Sequence, residues 1–211
     1  RDSLMSHPRI SIVDYGMGNI WSVSSALKYL NATSEVVSDP DKIISAECII
    51  LPGVGSFREA MLTIREKNID QALLESSKKG TKILGICLGM QLLGASSDED
   101  GFTEGLNFFQ RKVELFPREV QRNLKLPHIG FNSVNFHNDS KLYKNLEGQD
   151  DFYFVHSYRM LVKPEDVSHG TCFYGQEFLA SFEHENIYGT QFHPEKSQTN
   201  GIKLLQNFLE I

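Results

Sequence analysis

Over the first hundred residues the spacing of apolar positions switches back and forth between two periods. "RISIVDYG" is a short β-branched run closed by a glycine, and in the "GNIWSVSSALKYLN" that follows, Ile20, Val23, Ala26, Leu27 and Leu30 recur at helical spacing. The alternation repeats. "SEVVSD" and "CIILPG" predict strands, "SFREAMLTIREKN" and "DQALLESSKKG" predict helices, and "KILGI" predicts a strand running into the helix "LGMQLLGAS". Strands alternating with helices predict a mostly parallel sheet covered on both faces.

From about residue 108 the texture changes. "KVELF", "IGFNSVNF", "DFYFVHSYRML", "TCFYGQ", "FLASFEHE" and "NIYGTQFH" are strand-like with few helices between them, which predicts a mostly antiparallel half. "SKLYKNL" predicts one short helix, and "NGIKLLQNFLEI" an amphipathic closing helix with Ile202, Leu205, Phe208 and Leu209 on one face.

Composition narrows the picture. With 211 residues, 40% of them apolar, the chain suits one sizeable core, so a single domain is expected over residues 9–211, with residues 1–8 a leader or remnant outside the fold. A net charge of -6 and scattered lysines give no basic field, which argues against nucleic acid and anionic membrane and for a small molecule or a protein as partner. No run approaches the roughly 18 apolar residues needed to span a bilayer. Three cysteines without a CxxC pair predict free thiols in a reducing, cytoplasmic setting.

One of these cysteines has an unusual frame. "GICLG", Gly85 to Gly89, has the form G-x-C-x-G, the thiol counterpart of a nucleophile elbow, on a predicted strand-to-helix turn. Glycine tolerates the close backbone approach of such a turn, the strand end exposes the sulfur, and the amino-terminal amides of the helix favour thiolate. Cys48 and Cys172, inside strand-like runs, read as inert buried thiols. A thiol nucleophile needs an oriented base, and "GTQFHPEKS" offers His193 with Glu195 two residues on; in extended backbone the two share a face. "GMGNIW" departs from a dinucleotide fingerprint at Trp21, and "PGVGSF" lacks the ending of a phosphate loop. The spacing of Cys87, His193 and Glu195 matches no usual metal-ligand pattern, so neither metal nor cofactor is expected.

Together "GICLGMQ" and "QFHPEKS" resemble the class I, or triad, glutamine amidotransferases. "VDYGMGN", "LPGVGSF", "GICLGMQLL", "PHIGFN", "YFVHSY" and "QFHPEKS" occur in the order seen in one subfamily, the glutaminase subunits of imidazole glycerol phosphate synthase, and the resemblance runs from about Arg9 to the end. It implies a flavodoxin-like α/β fold with extra antiparallel strands in the second half. It also implies that Cys87 attacks the side-chain amide of L-glutamine, with His193 as base and Glu195 orienting it. The backbone of Leu88 and of Val54 or Gly55 would stabilise the oxyanion; Gly53, Gly55, Gln91, Glu99, Ser157 and Tyr158 would hold the substrate, with Asp98 and Asp100 as alternatives to Glu99. The implied partner is a (β/α)8-barrel cyclase subunit of the histidine pathway, docked around Asn19, Phe131, Tyr153 and Lys196. Phe131 departs from the tryptophan usual at that position. Two alternatives keep the fold: the same glutaminase feeding another synthase, such as a sugar-nucleotide aminating enzyme, or a catalytically idle interaction subunit.

Overall fold

The structure is a computed structural model that describes residues 7–137, 139–166 and 169–211; most of the expected leader, residues 1–6, lies outside the described residues. In chain order the first half runs β1 (Ile10–Val13), α1 (Ile20–Tyr29), β2 (Ser34–Val37), α2 (Pro40–Ile44), β3 (Cys48–Leu51), α3 (Phe57–Glu66), α4 (Ile69–Lys78), β4 (Lys82–Ile86) and α5 (Leu88–Leu92). The second half runs β5 (Ser96–Ser97), β6 (Thr103–Glu104), β7 (Lys112–Leu115), α6 (Arg118–Asn123), β8 (His128–Asn135), β9 (Gln149–His156), β10 (Tyr158–Met160), β11 (Thr171–Phe173), β12 (Glu177–Leu179), β13 (Ser181–His184), β14 (Ile187–Thr190) and α7 (Gln198–Glu210).

The central sheet has the order β13-β14-β4-β3-β1-β2, parallel throughout except for the β13 edge. Its inner strands β1, β3, β4 and β14 are buried on both faces, since successive side chains point opposite ways and helices cover each side. Ile10, Ile12, Ile50, Leu84 and Ile86 pack with Val23 and Leu27 of α1 and Leu204 and Phe208 of α7. Val13, Ile49, Leu51 and Ile83 pack with Phe57, Met61 and Ile64 of α3 and Leu73 of α4. The structure is therefore the α/β class expected, a mostly parallel sheet with antiparallel sheets added.

Those additional sheets are β12-β11-β8-β9 and β10-β7-β5-β6. The second half is mostly antiparallel, with two exceptions: β14 joins β4 in parallel, and β5 joins β7 in parallel. The strand-like run 151–161 breaks at Ser157 and the run 178–185 at Ala180. The helix expected at "SKLYKNL" is instead a series of turns. Its backbone groups find tertiary partners: the Glu183 carboxylate accepts from the amides of Lys141 and Leu142 and from the Ser140 hydroxyl, and Asn207 Nδ2 donates to the carbonyls of Leu142 and Lys144. Those bonds compete with a helical ladder. Two short helices had no signal in the apolar pattern: α2, whose first turn Asp39 caps, and α6, which follows Pro117.

Candidate active site

The carboxyl ends of β3, β4 and β14 lie side by side, and the sequence leaves each of them with a different irregularity. At β4 the ladder extends one residue past the strand, where the Cys87 amide donates to the Thr190 carbonyl at 2.7 Å. Cys87 then turns to φ 54°, ψ -112°, a conformation costing an L-residue on the order of 1–3 kcal/mol, and α5 begins at once. The flanking glycines permit this packing. A Cβ on Gly85 would sit 2.6 Å from the Gly89 carbonyl oxygen, and one on Gly89 would run into the carbonyl of Leu51, so α5 rests directly on the strand ends.

His193 follows β14 in extended conformation, with 1% of its surface exposed. Its Nδ1 lies 2.6 Å from Glu195 Oε1. The pairing was expected from an extended chain, but Glu195 lies on the 3-10 turn Pro194–Lys196, and it is the turn after His193 that brings the carboxylate round. With Nδ1–H donating to Glu195, Nε2 is the free ring nitrogen, and it is buried without a geometrically formed hydrogen bond among the described residues. Burial pushes the imidazole down, but the charge of Cys87 and the hydrogen bond and charge of Glu195 outweigh it, lifting His193 to about 10. Cys48 and Cys172 are the opposite case, buried thiols pushed up to about 12 by desolvation.

In front of Cys87 lies a cavity of about 520 Å³. Of the expected residues it is lined by Val54, Gly55, Cys87, Leu88, Gln91, Glu99, Ser157 and Tyr158; Gly53 is not at its wall, and His193 and Glu195 are buried out of it. Gly53 leaves room for the Tyr15 hydroxyl and Leu88, which a Cβ would strike. Sequence reasoning missed the lining residues Ser56, Pro127, Val155 and His156. His156 stood in the quoted "YFVHSY", yet only the strand pairing brings it here.

Two expectations are sharpened. Of the two amides offered for the oxyanion beside Leu88, that of Val54 donates to the Met17 carbonyl at 2.9 Å and is unavailable; the Gly55 amide, at φ 109°, has no partner among the described residues. Among the three acidic neighbours, Glu99 lines the cavity, held by the Phe57 amide donating to Oε2 at 3.0 Å, while Asp100 is engaged outside it by the Ser56 hydroxyl. Burial raises the Glu99 carboxyl, which the Phe57 amide counters and the charge of Asp100 reinforces.

Three of the expected docking residues, Phe131, Tyr153 and Lys196, lie together beside the His193 loop. Phe131 on β8 is half-exposed and meets Tyr153 on β9 edge to face at 5.6 Å, and Lys196 Nζ lies 6.0 Å from the Tyr153 ring centre. The Tyr153 carbonyl accepts from the His193 amide at 2.9 Å, so this patch is bonded to the base loop. Asn19 caps α1, its Oδ1 accepting from the Ser22 amide. No group of His, Cys, Asp and Glu among the described residues could hold a metal, and no described helix is long and apolar enough to cross a membrane.

With this geometry in hand, comparison places the chain among known proteins. The profile of the family Glutamine amidotransferase class-I matches residues 11–211. The chain is 44% identical over 205 residues to imidazole glycerol phosphate synthase subunit HisH of Moorella thermoacetica, covering 96% of this chain and 94% of the relative. It is 41% identical over 204 residues to the subunit of that name from Acinetobacter baylyi, covering 96% and 98%. Among solved structures, PurLQS from Thermotoga maritima superposes with a TM-score of 0.69 at 22% identity over 97% of this chain and 98% of that one, a likeness of fold alone.

Proposed function

We propose, from the premise that this chain belongs to the glutamine amidotransferase class-I family, that it is the glutaminase subunit of an imidazole glycerol phosphate synthase, serving histidine biosynthesis in the cytoplasm. The observation that carries the chemistry is the convergence of Cys87 on a strained strand end with an imidazole whose far nitrogen is bonded to a buried carboxylate. An idle subunit would have no use for this arrangement. A different acceptor pathway is disfavoured by identities of 41% and 44% to chains named as synthase subunits.

The Cys87 thiolate attacks the side-chain amide carbon of L-glutamine, and His193 returns the proton to the departing nitrogen as ammonia leaves. A glutamyl thioester remains. Water attacks it with His193 as base, releasing glutamate and restoring the thiolate beside the reprotonated His193. The negative oxygen of both tetrahedral intermediates takes a hydrogen bond from the Leu88 amide, the first of α5 and so without an intrahelical acceptor, and a second from Gly55.

Substrate orientation follows from the polar groups of the cavity. Gln91 Nε2 is spent on the Tyr158 carbonyl at 3.1 Å and Gln191 Oε1 at 3.0 Å, so Gln91 presents only its oxygen to a ligand. That oxygen and the Glu99 carboxylate suit the α-ammonium of glutamine, and Ser157 with the backbone of Tyr158 suits its α-carboxylate. Ammonia freed into water would be protonated and lost as a nucleophile. The partner is therefore a (β/α)8-barrel cyclase that receives it directly, docking on Phe131, Tyr153, Lys196 and the Asn19 end of α1.

The test is glutamate release from L-glutamine by the purified chain, alone and with a cyclase subunit and its nucleotide ligand. Release that rises sharply only when both are added supports the whole reading; release indifferent to the cyclase sinks the assigned partner, and none in any mixture sinks the glutaminase.

A further inference from the structure

Beside the nucleophile lies a second buried glutamine that the mechanism above leaves without a role of its own. Gln191 comes directly after β14, fully buried, its backbone amide donating to the Ala180 carbonyl at 2.7 Å. Its side chain touches two members of the site: Oε1 lies 3.0 Å from Gln91 Nε2, and Nε2 lies 3.8 Å from Cys87 Sγ.

The directions of these bonds are determined by the groups around them. The Tyr158 carbonyl can only accept, and it takes the His156 Nδ1–H at 2.8 Å and Gln91 Nε2 at 3.1 Å. Gln91 must therefore turn its nitrogen inward, and its other N–H meets the Gln191 oxygen. With that oxygen engaged, Gln191 can offer Cys87 only its N–H. Reversing either amide would set oxygen against oxygen at Tyr158 or nitrogen against nitrogen between the glutamines.

We propose that Gln191 is a positioning residue of the active site: its amide N–H holds the Cys87 sulfur and favours the thiolate, while its oxygen keeps Gln91 turned for glutamine. A thiol at Cys87 has a competing choice, since it can donate to the Val155 carbonyl, 3.8 Å away. A thiolate only accepts, and the Gln191 N–H is a donor to it in addition to His193. The N–H therefore stabilises one protonation state over the other, as a hydrogen bond to the charged form does. The titratable groups coupled to the sulfur are His193, from the loop after β14, and Tyr15, just beyond β1, which burial keeps neutral and whose hydroxyl donates to the Pro52 carbonyl.

The inference rests on the reading of Cys87 as the nucleophile, and two variants separate it from that reading. Gln191→Met removes both bonds at similar length. Gln191→Glu keeps an oxygen for Gln91 but sets an acidic group against the sulfur. The readout is the rate of Cys87 alkylation by iodoacetamide from pH 5 to 9, located by peptide mass spectrometry, on variants whose circular dichroism and melting match the parent. Both variants should slow alkylation at pH 7 by about three- to tenfold and move the midpoint to higher pH. KM for glutamine should rise in Gln191→Met and change little in Gln191→Glu. Alkylation profiles that overlay the parent in both folded variants would overturn the role of Gln191 and leave Cys87 its place. Cys87 in the parent reacting no faster than Cys48 and Cys172 would overturn the reading of Cys87, and this inference with it.

Discussion

Two regions meet at Cys87, and they are built on opposite plans. At the carboxyl edge of the central sheet three groups of the site sit where regular structure stops: Cys87 at positive φ, Gln191 one residue past β14, Glu195 on a 3-10 turn. The β8–β9 ribbon keeps one register along its whole length, eight pairs from His128 opposite His156 to Asn135 opposite Gln149, with the positive φ of Gly130 taken up by a glycine. Alternation sorts its side chains, with His128, Phe152, Phe154 and His156 facing the core and Ile129, Phe131, Tyr153 and Val155 turned outward. The edge places chemistry by breaking periodicity, and the ribbon presents a surface by keeping it. Backbone bonds join them: the Tyr153 carbonyl takes the His193 amide, and the Ser197 hydroxyl accepts from the Tyr153 amide.

Substitutions that divide along this line test the comparison. The largest effect belongs to the edge: Cys87→Ala should abolish glutamate release, a loss of at least about 10⁴-fold, while the melting temperature and cyclase binding stay near the parent. Retained turnover would remove the edge from the chemistry. Glu195→Gln should lower kcat by roughly a hundredfold or more with KM little changed, because the base survives without the partner that sets its tautomer. A parental kcat would make the turn at Pro194 a structural feature only.

Changes in the ribbon should act elsewhere. Phe131→Ala should weaken cyclase binding about tenfold, measured by titration calorimetry, and leave the alkylation rate of Cys87 as it was. The smallest effect is on stability. Burial pushes His128 down to about 4 and His156 to about 3, so the native ribbon refuses protons that unfolded imidazoles accept near 6.5. Their contribution is complete above about pH 6.5 and is lost as pH falls toward 4. His128→Gln should flatten that slope, sparing the protein about 2–4 °C of the fall in melting temperature between pH 6.5 and 5. An unchanged slope would mean that the pair is not what acid attacks.

The same contrast explains what could be read in advance. The strand-like runs 129–136 and 151–161 anticipated strands in a mostly antiparallel half but not their pairing, and the helical pattern anticipated α1, α3, α4 and α7. Cys87 was legible because its glycines are a local record of close packing. The pairing of His193 with Glu195 was anticipated for an insufficient reason, since i and i+2 spacing does not foretell the turn after Pro194. Gln191 could not be found from spacing, because its partner Gln91 lies on α5, 100 residues away in the chain, and His156 reaches the cavity only through the pairing of β9 with β8. The amide of Val54 was likewise engaged by Met17, through a contact between two loops.

The central claim is that Cys87 becomes covalently bonded to substrate. Rapid acid quenching of the cyclase complex during glutamine turnover, followed by peptide mass spectrometry, tests it most directly. A glutamyl adduct on the Cys87 peptide, absent without glutamine, is the predicted result. Steady glutamate release with no adduct on that peptide, or an adduct on Cys48 or Cys172 instead, would contradict it.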